Sequence, residues 1–166
     1  MIKLYFASNT PNRFGVQLLI RHIFRELEGV DINIYLVSTW HSGGPRIAST
    51  FEKCINQDID ELMRADMLIA MYPFGNGTRS EISIALGRDI PIIALIPPEF
   101  VLHGNSLTGW SDNFPLVKFN TVSSNDYVPD LPKVTGKHLI VTDWMHKLTD
   151  VIEYLSYHFI DESGDE

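Results

Sequence analysis

Short apolar stretches and amphipathic, helix-like stretches take turns along this chain, and that alternation constrains the fold more than any other feature. Ile2 to Ala7 is short, apolar and partly β-branched or aromatic, as a strand requires. From Asn12 onward Val16, Leu19, Ile20, Ile23, Phe24 and Leu27 recur at helical spacing, and Gly29 ends the pattern. Ile32 to Val37 reads as a second strand, Ile47 to Ala65 as a second helix and Met67 to Tyr72 as a third strand. A short helix is expected over Arg79 to Leu86, with Gly87 as its cap, and a fourth strand over Pro91 to Ile96. Leu116 to Phe119 is a candidate fifth. Asn120 to Lys137 is polar and contains prolines, which predicts an irregular surface connection. A final helix is expected from Asp143 to Phe159, because Trp144, Leu148, Val151, Ile152, Leu155 and Phe159 form one stripe.

A βαβαβαβ order demands parallel strands joined by crossovers, with helices on both faces of the sheet. The expectation is an α/β fold: a single doubly wound parallel sheet, a flavodoxin-like or Rossmann-like three-layer sandwich, with an added C-terminal helix. Ligands bind such sheets beyond the carboxyl ends of the strands. The loops of interest are therefore Ser8 to Asn12, Ser38 to Arg46, Pro73 to Thr78 and Pro97 to Asn113.

Composition agrees with one globular domain over residues 1–160: 166 residues in all, 45% hydrophobic and 20% charged. The formal charge of −8 is uneven, since the last six residues carry four acids and no base. Residues 161–166 read as a disordered acidic tail, and the body keeps an ordinary charge of about −4. Such a surface disfavours a polyanionic nucleic acid as partner. No apolar run approaches the length of a membrane span, and no secretory signal is apparent. A lone cysteine, Cys54, excludes an internal disulfide and suits a reducing, cytoplasmic setting.

Two acids stand out by position. In the second helix Phe51, Cys54, Ile55, Leu62 and Ala65 share one face at about 100° per residue, and Asp58 falls in the middle of that arc. Glu52, Lys53, Asp60, Glu61 and Arg64 are expected to point mostly elsewhere. A carboxylate on an apolar stripe is costly unless it is paired, hydrogen-bonded or protonated. Asp58 is thus either a buried cap for neighbouring backbone or a proton donor. The second acid is Glu81, in Gly75-Asn76-Gly77-Thr78-Arg79-Ser80-Glu81, between a strand and a helix. Thr78 with Glu81 three residues later fits a capping box. The alternative is a carboxylate kept ionised in the first helical turn by the helix dipole and fit to attack a sugar carbon.

The segment from Gly77 to Gly87 resembles the nucleophile segment of the nucleoside 2-deoxyribosyltransferases, with Glu81 as nucleophile. Leu4-Tyr5-Phe6-Ala7 is similar to that family's first strand, whose tyrosine supports the nucleophile, a role that falls to Tyr5. Asn56-Gln57-Asp58-Ile59 resembles the helix segment whose acid handles the proton of the base, which falls to Asp58. Asn105, followed by Gly109-Trp110-Ser111-Asp112-Asn113, resembles the stretch whose asparagine enters a neighbouring subunit's site and holds the sugar. The similarity covers roughly residues 2 to 119. It implies a homo-oligomer, no cofactor, and small-molecule partners: a nucleoside or nucleotide and a free nucleobase.

Two departures from that family stand out. Where the transferases usually carry an aspartate, six residues before the nucleophile, this chain has Gly75, with Asn76 beside it. The related nucleoside-monophosphate N-glycosidases also lack that aspartate, since it would repel a 5′-phosphate. Gly75, Asn76 and Gly77 are therefore candidate substrate-binding residues for either a hydroxyl or a phosphate. The second departure is the added C-terminal helix and tail after about Gly136, on which the resemblance is silent.

The remaining candidates are weaker. His22, His41, His103, His138, His146 and His158 show no metal-ligand spacing, so no metal is expected. His41-Ser42-Gly43-Gly44-Pro45 lacks the end of a P-loop. It reads instead as a lid, with Trp40 either stacking on a base or packing. Cys54 reads as a small core residue. The resemblance implies transfer of 2-deoxyribose between nucleobases through a covalent deoxyribosyl-glutamate. Two alternatives stand beside it: hydrolysis of a 2′-deoxynucleoside 5′-monophosphate, and a non-catalytic nucleotide-sensing module on the same fold.

Overall fold

A computed structural model of the chain describes residues 2–8, 13–28, 34–37, 51–72, 74–97, 101–102, 106–107, 120–122, 138–141 and 144–155. The chain divides into two compact units, Met1–Ile92 and Ile93–Glu166.

The first unit contains β1 (Ile2–Ala7), α1 (Arg13–Glu26), β2 (Ile34–Leu36), α2 (Phe51–Met63), β3 (Met67–Met71) and α3 (Asn76–Gly87). Its strands run in the order β2-β1-β3 and both pairings are parallel. Ile2 lies beside Ile34, and Tyr5 lies beside Leu68. Parallel strands covered on both faces need apolar residues at successive positions, and Met67 to Ala70 are all 0% exposed. The chain steps from β1 to β2 in one direction and from β2 past β1 to β3 in the other. Right-handed crossovers in opposite directions put α1 on one face of these strands and α2 on the opposite face. This is the doubly wound α/β arrangement of flavodoxin-like and Rossmann-like folds, with a switch point between β1 and β3.

The register of β1 against β3 is set at its first rung by Asp66. The Lys3 N–H donates to Asp66 Oδ2 at 2.8 Å, and the Asp66 N–H donates to the Lys3 carbonyl at 2.8 Å. The side chain supplies the acceptor that a strand residue before Met67 would otherwise offer.

Helix α1 buries Leu19, Ile20 and Ile23, as its periodicity predicts, and Leu27, in the turn that follows it, is buried with them. Phe24 is an exception, 43% exposed, because it lies roughly a quarter-turn from the centre of that stripe.

Strand β4 (Ile92–Leu95), all but its first residue in the second unit, lies beside β8 (His138–Val141), itself beside β7 (Asn120–Val122). The Ile96 N–H donates to the Val141 carbonyl at 3.2 Å, and β7 and β8 pair in parallel with Val122 beside Val141. A small antiparallel hairpin joins β5 (Val101–Leu102) to β6 (Ser106–Leu107). Helix α4 (Trp144–Leu155) packs on β8 and buries Leu148, Val151 and Ile152.

Two expectations are corrected here. The segment from Asn120 to Lys137 does not begin as an irregular connection, because Asn120–Val122 is a strand. His138–Val141 is a further strand that hydropathy alone had not marked. Both are short, and β7 carries two polar residues out of three, so their pairing outweighs local composition. The expected strand at Leu116 to Phe119 and the acidic tail lie outside the described residues. Among the described residues no helix is long and apolar enough to cross a membrane.

Candidate active site

The switch point between β1 and β3 is where a doubly wound sheet offers a crevice, and three of the residues singled out from sequence lie on the elements around it. Tyr5 is in β1, two residues before its carboxyl end, and is 3% exposed. Buried tyrosines keep their hydroxyl in a polar contact, and Tyr5 does make an interaction here. Asp58 is half-buried on α2 and Glu81 is half-buried on α3, and these two helices pack against each other. Both residues make interactions within the protein. Helix α3 also packs on β3, the strand beside β1. All of these elements belong to the first compact unit.

The start of α3 differs from expectation. The helix begins at Asn76, its N-cap is Gly75 in extended conformation (φ −77°, ψ 176°), and no side-chain hydrogen bond caps it. The Arg79 N–H donates to the Gly75 carbonyl at 3.0 Å, closing the first turn. The proposed capping box of Thr78 and Glu81 is therefore absent. Thr78 is 4% exposed and shares an inward stripe with Ile82 and Ala85, so its side chain is committed to packing. Glu81 consequently lies in the second turn, and the first turn contains no acid. Its environment comes from its place on the flank of the Thr78–Ile82–Ala85 stripe. The helix terminus contributes little there, because dipole effects fade beyond the first turn.

The same shift changes what Gly75, Asn76 and Gly77 are. Asn76 and Gly77 form the exposed first turn, whose backbone N–H groups have no carbonyl partners within the helix. A Cβ built on Gly77 would meet nothing within 4 Å, so the surface over that turn is open. Serine side chains close the next turns: Ser80 Oγ donates to the Asn76 carbonyl and Ser83 Oγ to the Arg79 carbonyl, both at 3.0 Å. Ahead of the helix Tyr72 and Phe74 meet edge to face, with centroids 5.8 Å apart and planes at 86°, which braces the β3–α3 connection.

One residue of this region was assigned wrongly from sequence. Glu61 was expected to point away from the apolar arc of α2, yet it is 4% exposed. Asp58, Glu61, Leu62 and Ala65 follow the spacing i, i+3, i+4, i+7, so Glu61 belongs to the inward stripe by the same periodicity that singled out Asp58. Its Oε1 accepts a hydrogen bond from Gln57 Nε2 at 3.1 Å. Trp40 and Asn105 lie outside the described residues.

Neither a protein-family model nor a curated protein sequence matches the chain. Solved structures do resemble it. A conserved protein from Enterococcus faecalis V583 aligns with a TM-score of 0.54 at 18% identity, covering 92% of this chain and 98% of that one. The CMP N-glycosidase BcmB from Clostridium botulinum aligns with a TM-score of 0.47 at 14% identity, over 91% and 98%. The glutaminase domain of Trypanosoma brucei CTPS with bound acivicin gives 0.35 at 16%, over 73% and 45%. The first of these supports the α/β doubly wound fold, and at such identity the likeness concerns fold alone.

Proposed function

We propose that this chain is a retaining N-glycosyl-transfer enzyme, a nucleoside 2-deoxyribosyltransferase that moves 2-deoxyribose between nucleobases. The observation that carries this reading is the pair of half-buried carboxylates, Asp58 and Glu81, on two packed helices of the unit that holds the β1/β3 switch point. A carboxylate nucleophile and a second carboxyl group that carries a proton are what retaining transfer at an anomeric carbon needs.

In the proposed reaction the Glu81 carboxylate attacks C1′ as the bond from C1′ to the base nitrogen breaks. Asp58 gives its proton to the departing base, leaving a deoxyribosyl ester on Glu81 and a carboxylate at Asp58. An incoming base then attacks C1′ from the opposite side, loses its proton to Asp58, and frees Glu81. Two inversions restore the original configuration. Tyr5 orients Glu81, Gly75 to Gly77 receive the 5′ end of the sugar, Trp40 covers the base, and Asn105 of a second copy completes the sugar site.

A second reading has its own support. The first turn of α3 contains no acid and is preceded by Gly75 as its N-cap, so no side chain of that turn repels a 5′-phosphate. Hydrolysis of a 2′-deoxynucleoside 5′-monophosphate uses the same Glu81 and Asp58, with water in place of the second base.

The test is a screen of 2′-deoxynucleosides and their 5′-monophosphates, with and without free adenine, read by chromatography. Base exchange identifies the transferase, and base release from a monophosphate alone identifies the hydrolase. Glu81→Gln should lower either rate at least about a hundredfold, the scale expected when a covalent nucleophile is removed. A 2-fluoro-arabinosyl nucleoside should leave its sugar mass on the peptide containing Glu81. Undiminished turnover by E81Q would remove Glu81 from the chemistry, and binding without released base would point to a sensing module.

A further inference from the structure

Among the described residues two polar or charged side chains are fully buried, Thr78 and Glu61, each 4% exposed, and of these two only Glu61 carries an ionisable group. A carboxylate at 4% exposure is costly to bury, so its position on the inward stripe of α2 calls for a reason. Its place supplies one. Side chains on a helix lean toward the N-terminus, so a residue covers the turn that precedes its own Cα. Glu61 therefore reaches back over the turn that carries Gln57 and Asp58, and its 3.1 Å bond from Gln57 Nε2 is that reach made visible. Asp58 stands three residues before Glu61 and shares its stripe, whereas Gln57 stands four before it on the stripe's edge.

We propose that Glu61 is a positioning residue: its bond to Gln57 holds its carboxylate on the Gln57 side of the turn and so fixes the orientation in which α2 presents Asp58. Two carboxylates at i and i+3 on one buried face compete for the same space and repel when both are ionised. Tying one of them to an amide donor keeps it out of the space the other occupies. The inference deepens the proposed function, since it depends on Asp58 being the group that handles the proton of the base. Gln57, next to Asp58 in the chain, becomes part of the same device.

The experiment pairs a spectroscopic readout with turnover, so that the two ideas fail separately. The carboxyl carbon of Asp58 is assigned in carbon-13 spectra of the full chain by its loss in D58N. Glu61→Met and Gln57→Met each remove the bond while keeping volume, and Glu61→Gln keeps an acceptor for the Gln57 amide. The expected result is an Asp58 resonance that moves in E61M and in Q57M and stays near its wild-type position in E61Q. With the substrate on which the wild type is most active, E61M and Q57M should lower kcat about tenfold with KM changed less than about twofold, the effect of misplacing a reacting group. The double variant should lose no more than either single one.

An Asp58 resonance that is unmoved in both E61M and Q57M overturns the proposal, whether or not the chain turns over a substrate. E61Q behaving like E61M also overturns it, because charge and not the bond would then be at work. Should E61M fail to fold, Q57M, at a half-buried position, carries the same comparison. A resonance that moves as expected in a wild type that releases no base upholds the positioning role and overturns the glycosyl-transfer reading instead.

Discussion

Removing the Asp66 side chain tests the account of how Tyr5 is brought to its position. The Lys3 N–H at the start of β1 has no strand residue beside it on the β3 side, since β3 begins at Met67 and pairs first with Leu4. Asp66 Oδ2 fills that place at 2.8 Å, and the Asp66 N–H returns a 2.8 Å bond to the Lys3 carbonyl. Asp66→Ala deletes the first of these and leaves a part-buried donor unpaired. Hydrogen bonds to charged groups contribute about 1.5–3 kcal/mol, and a part-buried site belongs at the lower end, so the expected cost is about 1.5 kcal/mol. Asp66→Asn keeps an acceptor without the charge and should cost about half as much. For a chain of this size each kcal/mol lowers Tm by about 2–4 °C, so D66A should melt about 3–6 °C below wild type. Urea unfolding should show a lower midpoint with an unchanged slope. The register from Leu4 to Ala7 rests on four further residue pairs, so base release should persist in D66A. A Tm within 1 °C of wild type, on the scale of about 2–4 °C per kcal/mol, would refute the clamp. Lost activity at unchanged Tm would mean that Asp66 acts by another route.

Three further outcomes follow from local geometry. Gly77→Ala adds a Cβ that meets nothing within 4 Å, in an exposed helical turn, so it should raise stability by about 0.5–1 kcal/mol. If that turn receives substrate, its KM should rise at the same time, and a stabilised enzyme with unchanged KM would remove Gly77 from the binding surface. Leu148→Ala, at 1% exposure on α4, should cost about 3 kcal/mol in urea unfolding, and a loss under 1 kcal/mol would contradict close packing of α4. Asp89 has φ 57°, a conformation that L residues adopt at a cost of about 1–2 kcal/mol, so Asp89→Val should melt well below Asp89→Gly, and equal Tm values would speak against strain at this turn.

Much of the first unit was legible because each of its elements carries its own periodicity. β1, α1, α2 and β3 appear where alternation and helical spacing put them, with ends adjusted by a few residues among those described. The doubly wound topology then follows from crossover handedness. The second unit was harder. Asn120–Val122 and His138–Val141 are stabilised by pairing with partners distant in sequence, and a strand of three residues has too few positions to show a period. The beginning of α3 was misread because Thr78 and Glu81 fit two patterns at once, a capping box and the middle of a helix. Thr78 is buried with Ile82 and Ala85, and burial of that stripe draws the helix three residues further back.

That earlier start reassigns the electrostatics of the candidate site. In a helix that began at Thr78 or Arg79, one feature, its positive end, would both keep a nucleophile ionised and receive the substrate. With α3 beginning at Asn76 the two tasks separate along the helix. The open first turn, with Gly77 and backbone N–H groups that lack carbonyl partners within the helix, suits a hydroxyl or phosphate. Glu81 sits one turn on, flanking a buried stripe, on a helix that packs against the one carrying Asp58 and Glu61. Acids on packed, partly buried helix faces are where protonation becomes sensitive to neighbours. In the proposed reaction the choice between transfer and hydrolysis then falls to what reaches C1′ after the base departs, while the choice between nucleoside and monophosphate falls to the first turn of α3. Substitutions at Gly77 should therefore alter substrate preference without altering the acceptor, and the converse result, a change of acceptor alone, would show that the two tasks are not divided along α3.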